Sequence, residues 1–270
     1  MLVATIAFAA VSSVIKSLDH LHVFQVAFFR SVITSMICTG ILLNRRISLK
    51  ANLPGTLILR SLVGLTAMLL YFLTLQRAPM GAAVSLKYLS PIFTAIFAVW
   101  LLKERLKPIQ WLYFLLAFGG VFLLKGVDNR LDLATLLMGI GGAIFSGLVY
   151  VIIRHVGERD HPLVIVNYYM FICSVICGIA MIFYWTDPAA EDWIYLGLVG
   201  SVGYFAQTEM TKAFQTEAAS RVAPGKYMEF VYAILIGYLW FDEGYGWLAA
   251  LGMGMIIAGM LLNLLTKSTD

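Results

Sequence analysis

Long apolar runs dominate the sequence and decide what the chain can fold into. Short polar clusters divide its 270 residues into ten such runs. The predicted spans are residues 2–18, 23–43, 57–76, 82–102, 109–125, 133–153, 162–185, 193–212, 219–241 and 246–266. Each run approaches the ~20 residues that an α-helix needs to cross a bilayer, and none alternates strictly like a membrane β-strand. The sequence therefore predicts an all-α membrane protein with ten transmembrane helices, numbered here as spans 1 to 10.

The composition excludes most other classes of protein. Hydrophobic residues make up 61% of the chain and charged residues 13%, whereas soluble domains are ~25% charged. The net charge is only +4, and the longest basic run is the pair Arg45-Arg46, so no nucleic-acid partner is predicted. Cys38, Cys173 and Cys177 lie inside spans without metal-ligand spacing, as small hydrophobic side chains do. We predict neither a cofactor nor a metal.

Basic residues are distributed unevenly between the two sets of loops. The loops after even-numbered spans and the C-terminus hold eleven Lys or Arg residues, whereas the loops after odd-numbered spans hold four. Cytoplasmic loops of membrane proteins carry an excess of Lys and Arg. We therefore expect both termini in the cytoplasm and the chain in a bacterial-type cytoplasmic (inner) membrane.

The sequence also matches itself in the register that aligns Lys87 with Lys226, which we call the repeat register. One coincidence is expected in so biased a composition, but several fall in this register. The matching pairs are Lys87-Tyr88 with Lys226-Tyr227, Glu104 with Glu243, Gln76 with Gln215, Gly64 with Gly203, Gly120 with Gly259, Cys38 with Cys177, and His22 with His161. Because each copy holds five spans, an odd number, the second copy enters the membrane in the opposite orientation. We therefore predict two inverted five-helix repeats, residues 1–130 and 131–270, as in many secondary transporters.

One long segment carries a family resemblance. Residues 64–104 read GLTAMLLYFLTLQRAPMGAAVSLKYLSPIFTAIFAVWLLKE, with a start of span 4 rich in small residues, a Ser-Pro in its middle and a Glu-basic pair at its end. This segment resembles the drug/metabolite transporter superfamily, in its branch of ten-helix bacterial permeases (EamA-like), and residues 213–243 have the matching pattern. The resemblance implies transport of small polar metabolites by alternating access, through exchange or an ion gradient.

A narrower likeness covers two shorter segments. HVFQVAFFRS at 22–31 and APGKYMEFVYAILIGYLWFDE at 223–243 resemble bacterial S-adenosylmethionine uptake carriers. The sequence departs from that subgroup at Lys87 and Lys226. Their extra positive charge disfavours a cationic substrate.

Charged residues inside spans are the first candidates for a substrate site, because their burial in a membrane is costly and they usually face the bundle interior. Lys87 lies one turn before Pro91 and shares a helical face with Ser90. It is expected to bind an anionic group such as a carboxylate. The alternative is an ammonium that extends to the outer interface.

Glu229 has two interpretations. It follows Lys226 at the i, i+3 spacing of an intrahelical ion pair, which would be structural. Its carboxylate is otherwise suited to bind a substrate ammonium or to accept a proton. Arg30, in span 2, fits substrate binding and a structural bond to helix-end carbonyls equally well. Arg60 and Glu209 lie near cytoplasmic ends and are interpreted as structural.

The substrate site is predicted between spans 4 and 9, with tyrosines and polar side chains from neighbouring spans. The predicted binding residues are Lys87, Tyr88, Ser90, Tyr71, Arg30, Tyr204, Gln207, Lys226, Tyr227 and Glu229. The substrate is a small polar metabolite such as an amino acid, a carboxylate, or a nucleoside- or sulfonium-type compound, with protons or a counter-substrate as coupling partners. A monomer is compatible with this site. An intramembrane enzyme and a channel-like pore are the alternatives, although no catalytic signature occurs in the spans.

Overall fold

The computed structural model describes residues 2–102, 107–127, 131–216 and 219–266. These ranges contain α-helices and a short 3-10 helix, Gly157–Arg159, but no strand. The α-helices are α1 (Leu2–Ser17), α2 (Val23–Asn44), α3 (Pro54–Arg77), α4 (Met80–Lys87), α5 (Ser90–Leu102), α6 (Pro108–Val127), α7 (Leu133–Val156), α8 (Pro162–Phe183), α9 (Asp192–Thr216), α10 (Ala219–Phe241) and α11 (Trp247–Leu265). The protein is thus all-helical, as the sequence predicts.

Five helical segments are long and apolar enough to cross a membrane by length and composition. They are Val23–Asn44, Pro54–Arg77, Met80–Leu101, Leu133–Arg159 and Pro162–Phe183. Shorter apolar helices cover Thr5–Ser17, Pro108–Leu123, Glu229–Phe241 and Trp247–Asn263. Bulky apolar side chains such as Trp100, Phe122 and Phe183 are exposed on the outside of the bundle, where lipid would contact them.

The fourth predicted span differs from the prediction because it consists of two helices. α4 ends at Lys87 and α5 begins at Ser90, with a turn at Tyr88 and Leu89 between them. Pro91 explains the interruption, since it has no N–H to donate to the carbonyl of Lys87, four residues earlier. Lys87 and Ser90 therefore do not share a face of one continuous helix.

The helix bounds follow the repeat register. α2 and α8 begin and end at corresponding positions, and the segment from Met80 to Leu102 has the same extent as α10. The caps repeat as well. His22 begins α2 and accepts a hydrogen bond from the N–H of Phe24, and His161 begins α8 and accepts one from the N–H of Leu163.

The packing of the helices follows the same register. In this register α1 corresponds to α7, α2 to α8, α3 to α9, and the α4–α5 segment to α10. The contact of α3 with α7 has its counterpart in that of α9 with α1, and the contact of α5 with α7 in that of α10 with α1. The contact of α3 with α8 likewise corresponds to that of α9 with α2. The corresponding helices α6 and α11 pack along each other, as do α2 and α8.

The corresponding helices α6 and α11 run antiparallel. Gly120 of α6 packs against Gly252 and Ile256 of α11, and Gly259 of α11 packs against residues 113 and 117 of α6. As residue numbers rise along α6, those of its partner fall. A Cβ at Gly120 would clash with the backbone of α11, so the two helices require glycine at this crossing.

The corresponding helices α2 and α8 also run antiparallel. Phe28, near the start of α2, packs against Gly178 near the end of α8. Farther along α2, Ser35 Oγ donates to Asn167 Oδ1 at 2.9 Å, near the start of α8. The two helices therefore cross in opposite directions, as α6 and α11 do.

Hydrogen bonds link separate segments of the chain at both ends of the bundle. At one end the N–H of Asn52 donates to Asp160 Oδ1 at 2.6 Å, linking the α2–α3 and α7–α8 connections. At the other end the side chain of Gln25 donates to the carbonyl of Thr186 at 2.9 Å and accepts from its N–H at 3.1 Å.

Candidate functional site

A buried ion pair joins the two halves of the chain. Lys87 Nζ lies 2.6 Å from Glu229 Oε1, with the lysine at the end of α4 and the carboxylate on α10. The side chains are only 21% and 4% exposed. A buried ion pair must be well hydrogen-bonded to offset the cost of removing both charges from water.

Aromatic and hydroxyl groups from α1 and α3 surround the lysine. Its ammonium lies 4.8 Å from the ring centre of Tyr71 and 4.9 Å from that of Phe8, within cation–π range. The Tyr71 hydroxyl is 3.0 Å from Ser12 Oγ. We call Lys87, Glu229, Tyr71, Phe8 and Ser12 the ion-pair cluster.

The interruption between α4 and α5 positions this lysine. Because α4 ends at Lys87, the lysine ammonium lies at the C-terminus of this helix, where unpaired backbone carbonyls concentrate negative charge. Glu229 lies twelve residues before the last residue of α10, about 18 Å along the helix and near the middle of a ~30 Å bilayer core. The pair is therefore deep in the bundle. The Lys87 ammonium does not extend to the outer interface, which was the alternative interpretation.

The remaining predicted residues fall into three groups. Tyr88 and Ser90, at the turn between α4 and α5, are buried close to the pair. Gln207 is buried and Tyr204 half-buried on α9. The side chains of Lys226 and Tyr227 lie outside the described residues, as does Glu104. Whether Lys226 also contacts Glu229 stays a prediction.

Two arginines form a second group of buried charges. Arg30 of α2 is 5% exposed and Arg60 of α3 is 1% exposed. Arg30 Nη1 donates to the thioether sulfur of Met68 at 2.8 Å, and its guanidinium lies 5.4 Å from the ring centre of Phe72. The Arg60 guanidinium stacks on the face of Tyr169 at 3.9 Å. We call these five residues the arginine cluster.

The arginine cluster has no acidic member among the described residues. Within the described part of the chain, ion pairs join Glu229 to Lys87, Glu243 to Lys16, Asp192 to His20 and Glu209 to Lys212. Arg30 Nε, Arg60 Nε and Arg60 Nη1 are buried without a hydrogen-bond acceptor there. The interpretation of Arg60 as a structural charge at a helix end did not anticipate this burial.

Glycines make room for these side chains. A Cβ at Gly64 would lie 2.9 Å from the Tyr169 ring, and one at Gly203 would lie 3.3 Å from Arg30 Nε. The Tyr169 hydroxyl donates to the Gly64 carbonyl at 3.1 Å. Gly64 and Gly203 correspond in the repeat register, and so do Arg30 and Tyr169. The repeat register could thus have identified Tyr169, whereas no sequence signal marks Phe8, Ser12 or Met68.

Two histidines contact other side chains at one end of the bundle. His20 Nε2 lies 2.8 Å from Asp192 Oδ2, and the ring of His22 stacks on Tyr184 with centres 4.5 Å apart. In the part of the chain that the structure describes, no group of three or more His, Cys, Asp or Glu residues could hold a metal ion. The candidate site therefore consists of the ion-pair and arginine clusters.

Charged residues buried in a helical membrane bundle commonly mark a path for a substrate or an ion. The sequence profile of the EamA-like transporter family matches residues 1–125 and 133–265. The chain belongs to this family, within the drug/metabolite transporter superfamily, and the family consists of transporters rather than enzymes.

Characterised relatives differ in what their names say they carry. A pseudopaline exporter of Pseudomonas aeruginosa is 26% identical over 91% of this chain and 84% of its own length. An S-adenosylmethionine uptake transporter of Rickettsia prowazekii is 26% identical over 83% of this chain and 76% of its own length. Human solute carrier family 35 member G1 is 26% identical over 95% and 75%, respectively.

A solved crystal structure has the same fold. It superposes with a TM-score of 0.72 over 97% of this chain and 94% of its own, at 18% sequence identity. At that identity the likeness concerns the fold alone.

Proposed function

We propose that this protein is a secondary transporter that moves a small polar metabolite across the cytoplasmic membrane by alternating access. The substrate site lies where α4 and α10 meet. The observation that carries the proposal is the buried pair of Lys87 and Glu229, since it joins the two halves of the chain at 2.6 Å. A rearrangement between the halves would change this contact directly.

The repeated architecture supports alternating access. We infer that residues 1–130 and 131–270 are inverted five-helix repeats related by a two-fold axis in the membrane plane. The shared register of helix bounds, the matching histidine caps and the antiparallel packing of α6 with α11 and of α2 with α8 all support this relation. Inverted repeats allow one protein to open toward either side by exchanging the conformations of its halves.

The ion pair gives the proposed site its chemistry. A substrate with a carboxylate and an ammonium supplies a new partner for each member, so it separates Lys87 from Glu229 without leaving either charge unpaired. A proton gradient or a counter-substrate is the proposed driving force. The rings of Tyr71 and Phe8 add a face that accepts a cation or an apolar group.

The orientation is proposed from the basic residues. Eleven of them follow even-numbered spans or the C-terminus and four follow odd-numbered spans, so both termini face the cytoplasm. The connections joined by Asn52 and Asp160 then lie on the cytoplasmic side. The contact of Gln25, near the start of α2, with Thr186 lies on the outer side. A reporter fused after Asp270 that is active only in the cytoplasm tests this orientation, and a well-expressed but inactive fusion contradicts it.

Transport is tested with the purified full chain in proteoliposomes. Amino acids, dicarboxylates, nucleosides and S-adenosylmethionine are first screened for a rise in melting temperature, since a ligand of the folded state stabilises it. Radiolabelled hits are then assayed for counterflow. Saturable counterflow is expected for a carrier, whereas conductance that does not saturate would indicate a channel-like pore and overturn the proposal.

Variants then locate the site. Lys87→Met and Glu229→Gln are expected to reduce counterflow at least tenfold. The exposed Lys50→Gln is the charge-matched control for the first, and the exposed Glu209→Gln is that for the second. If Glu229 only balances Lys226, the double variant Lys226→Met with Glu229→Gln restores transport. Near-normal counterflow in both single variants would place the site elsewhere.

A further inference from the structure

Three buried guanidinium nitrogens carry N–H donors that find no acceptor among the described residues. They are Arg30 Nε, Arg60 Nε and Arg60 Nη1. Both guanidinium groups are held by neutral groups. The Tyr169 ring covers a face of the Arg60 guanidinium. The Arg30 guanidinium contacts Met68 and Phe72. A guanidinium donates its hydrogen bonds from its edge, so stacking on an aromatic face leaves the donors available.

The two charges are close enough to be one site. Both guanidinium groups contact α3 about one helical turn apart, because Arg60 Nη1 lies beside Gly64 and Arg30 Nη1 donates to Met68, four residues later. Gly64 and Gly203 let these side chains approach the helices closely, since a Cβ would lie 2.9 Å from the Tyr169 ring at Gly64 and 3.3 Å from Arg30 Nε at Gly203. Two like charges are thus buried together without a described carboxylate between them.

We propose that Arg30 and Arg60 bind an anionic group, a carboxylate or an inorganic oxyanion, where α2, α3, α8 and α9 meet. Its oxygens accept hydrogen bonds from the Nε and Nη edges, a geometry that matches a planar carboxylate in particular. The bound anion supplies the countercharge that the described part of the chain lacks. The site is separate from the Lys87–Glu229 pair, which already balances its own charges.

This assignment deepens the proposed function, on which it rests, by naming a substrate class. The transported molecule carries an acidic group for the arginine cluster, and its remaining part reaches the ion-pair cluster. A substrate whose only charge is positive is excluded, because nothing in the arginine cluster would receive it.

The test measures binding without transport. The purified full chain in detergent is heated with sodium succinate, glutamate, sulfate or phosphate, each compared with sodium chloride at equal ionic strength. At least one of the four anions is expected to raise the melting temperature saturably. Arg30→Gln and Arg60→Gln are expected to weaken the apparent affinity by at least about tenfold, the loss of one charge-assisted hydrogen bond. Lys50→Gln, which removes one exposed charge, leaves the response unchanged.

The anion-free protein gives a second readout. Removing one of two uncompensated buried charges is expected to raise the melting temperature of Arg60→Gln above that of the unmodified chain. A structural arginine would give the opposite sign. The proposal is overturned if none of the four anions stabilises the protein, if the arginine variants respond like Lys50→Gln, or if anion-free Arg60→Gln melts lower.

Failure of this inference can be told from failure of the proposed function. Anion binding that depends on the arginines, without counterflow in proteoliposomes, would retain the site and reject the carrier. Counterflow that survives Arg30→Gln and Arg60→Gln would retain the carrier and reject the anion site.

Discussion

The ion-pair cluster and the arginine cluster bury charge in opposite ways. In the first, Lys87 and Glu229 neutralise each other at 2.6 Å, so the empty protein bears little unpaired charge there. In the second, Arg30 and Arg60 contact aromatic rings and a sulfur, and no carboxylate among the described residues balances them. A ligand must compete with an existing partner in the first cluster, whereas it satisfies free donors in the second.

A third buried charge shows how the chain neutralises a basic side chain that has a structural role. Lys16 lies 3.0 Å from Glu243 and donates to the carbonyl of Ala78 at 2.7 Å. Glu243 also accepts hydrogen bonds from the N–H of Met80 and the hydroxyl of Tyr245. This carboxylate is buried and links α1, α4 and the α10–α11 connection. Lys16 thus has both a carboxylate and a carbonyl as acceptors, whereas three guanidinium nitrogens of the arginine cluster have no acceptor among the described residues.

The largest expected effect comes from breaking the ion pair on one side only. Lys87→Met leaves a buried carboxylate unpaired and Glu229→Gln leaves a buried ammonium, so each is expected to lower the free energy of unfolding by about 3–5 kcal/mol. The double variant Lys87→Met with Glu229→Gln removes both charges. It is expected to recover most of that loss in stability but still to fail to transport the substrate. Denaturant unfolding and proteoliposome counterflow measure the two effects separately.

The exposed pair of Glu209 and Lys212 is the control for this cycle. Its 2.7 Å separation is close to that of the buried pair, but its side chains are 43% and 49% exposed. Because exposed pairs contribute little, Glu209→Gln is expected to change stability by less than about 1 kcal/mol. Equal losses at the two pairs would contradict the distinction drawn from burial.

The second prediction converts the arginine cluster into a paired one. Met68→Glu places a carboxylate where the Met68 sulfur now accepts a hydrogen bond from Arg30. The anion-free protein is expected to gain about 1.5–3 kcal/mol of stability, the value of a hydrogen bond to a charged group. The stabilisation by added succinate or sulfate should disappear, because the new carboxylate occupies the donors.

Met68→Gln is the matched control, since it has the same length and no charge. It is expected to leave the anion response in place. If Met68→Glu is less stable than Met68→Gln in the absence of anions, the arginines already have a countercharge and the contrast between the clusters fails.

Sequence reasoning identified the helices because their signal is long and one-dimensional. Apolar runs of span length predict helices whatever their neighbours are. The predicted spans 23–43 and 162–185 were unequal in length, whereas α2 and α8 begin and end at corresponding positions. The interruption at Tyr88 and Leu89 was less visible. Pro91 alone does not predict an interruption, because a proline can also lie within a continuous helix, as Pro224 does in α10.

The site was harder to predict because its contacts join residues far apart in sequence. Lys87 and Glu229 were each identified as costly charges, but Glu229 was weighed against its neighbour Lys226, since spacing along one helix is all that a sequence displays. Arg60 was assigned by its distance from a helix end, which carries no information about the Tyr169 ring stacked on it. Burial against another helix is a property of packing.

A smaller effect tests the hydroxyl groups of the ion-pair cluster. Tyr71→Phe keeps the ring beside Lys87 and removes the hydroxyl that lies 3.0 Å from Ser12 Oγ. Ser12 is 2% exposed, so its hydroxyl loses a partner that water does not easily replace. The expected loss is about 1 kcal/mol of unfolding free energy. Ser12→Ala combined with Tyr71→Phe should cost no more than either alone, and additive losses in denaturant unfolding would show that the two hydroxyls act independently.

The smallest effect concerns the histidine cap at the start of α8. His161 lies outside the membrane-spanning segments, and burial, with Arg45 and Lys212 nearby, lowers its pKa below the usual 6.5. Its Nδ1 accepts from the N–H of Leu163 at 3.2 Å, which only an unprotonated nitrogen can do, and a protonated ring would also meet the positive end of the α8 dipole. The fold therefore favours the neutral form. This contribution is present above pH 6.5 and is lost as the pH falls through the lower pKa of the folded state.

His161→Asn retains a capping acceptor that does not titrate, so the variant should lose less stability than the unmodified chain between pH 7 and pH 5. The expected difference is no more than about 2 °C in melting temperature. Identical pH profiles would contradict this prediction, because the cap would then contribute no acid sensitivity.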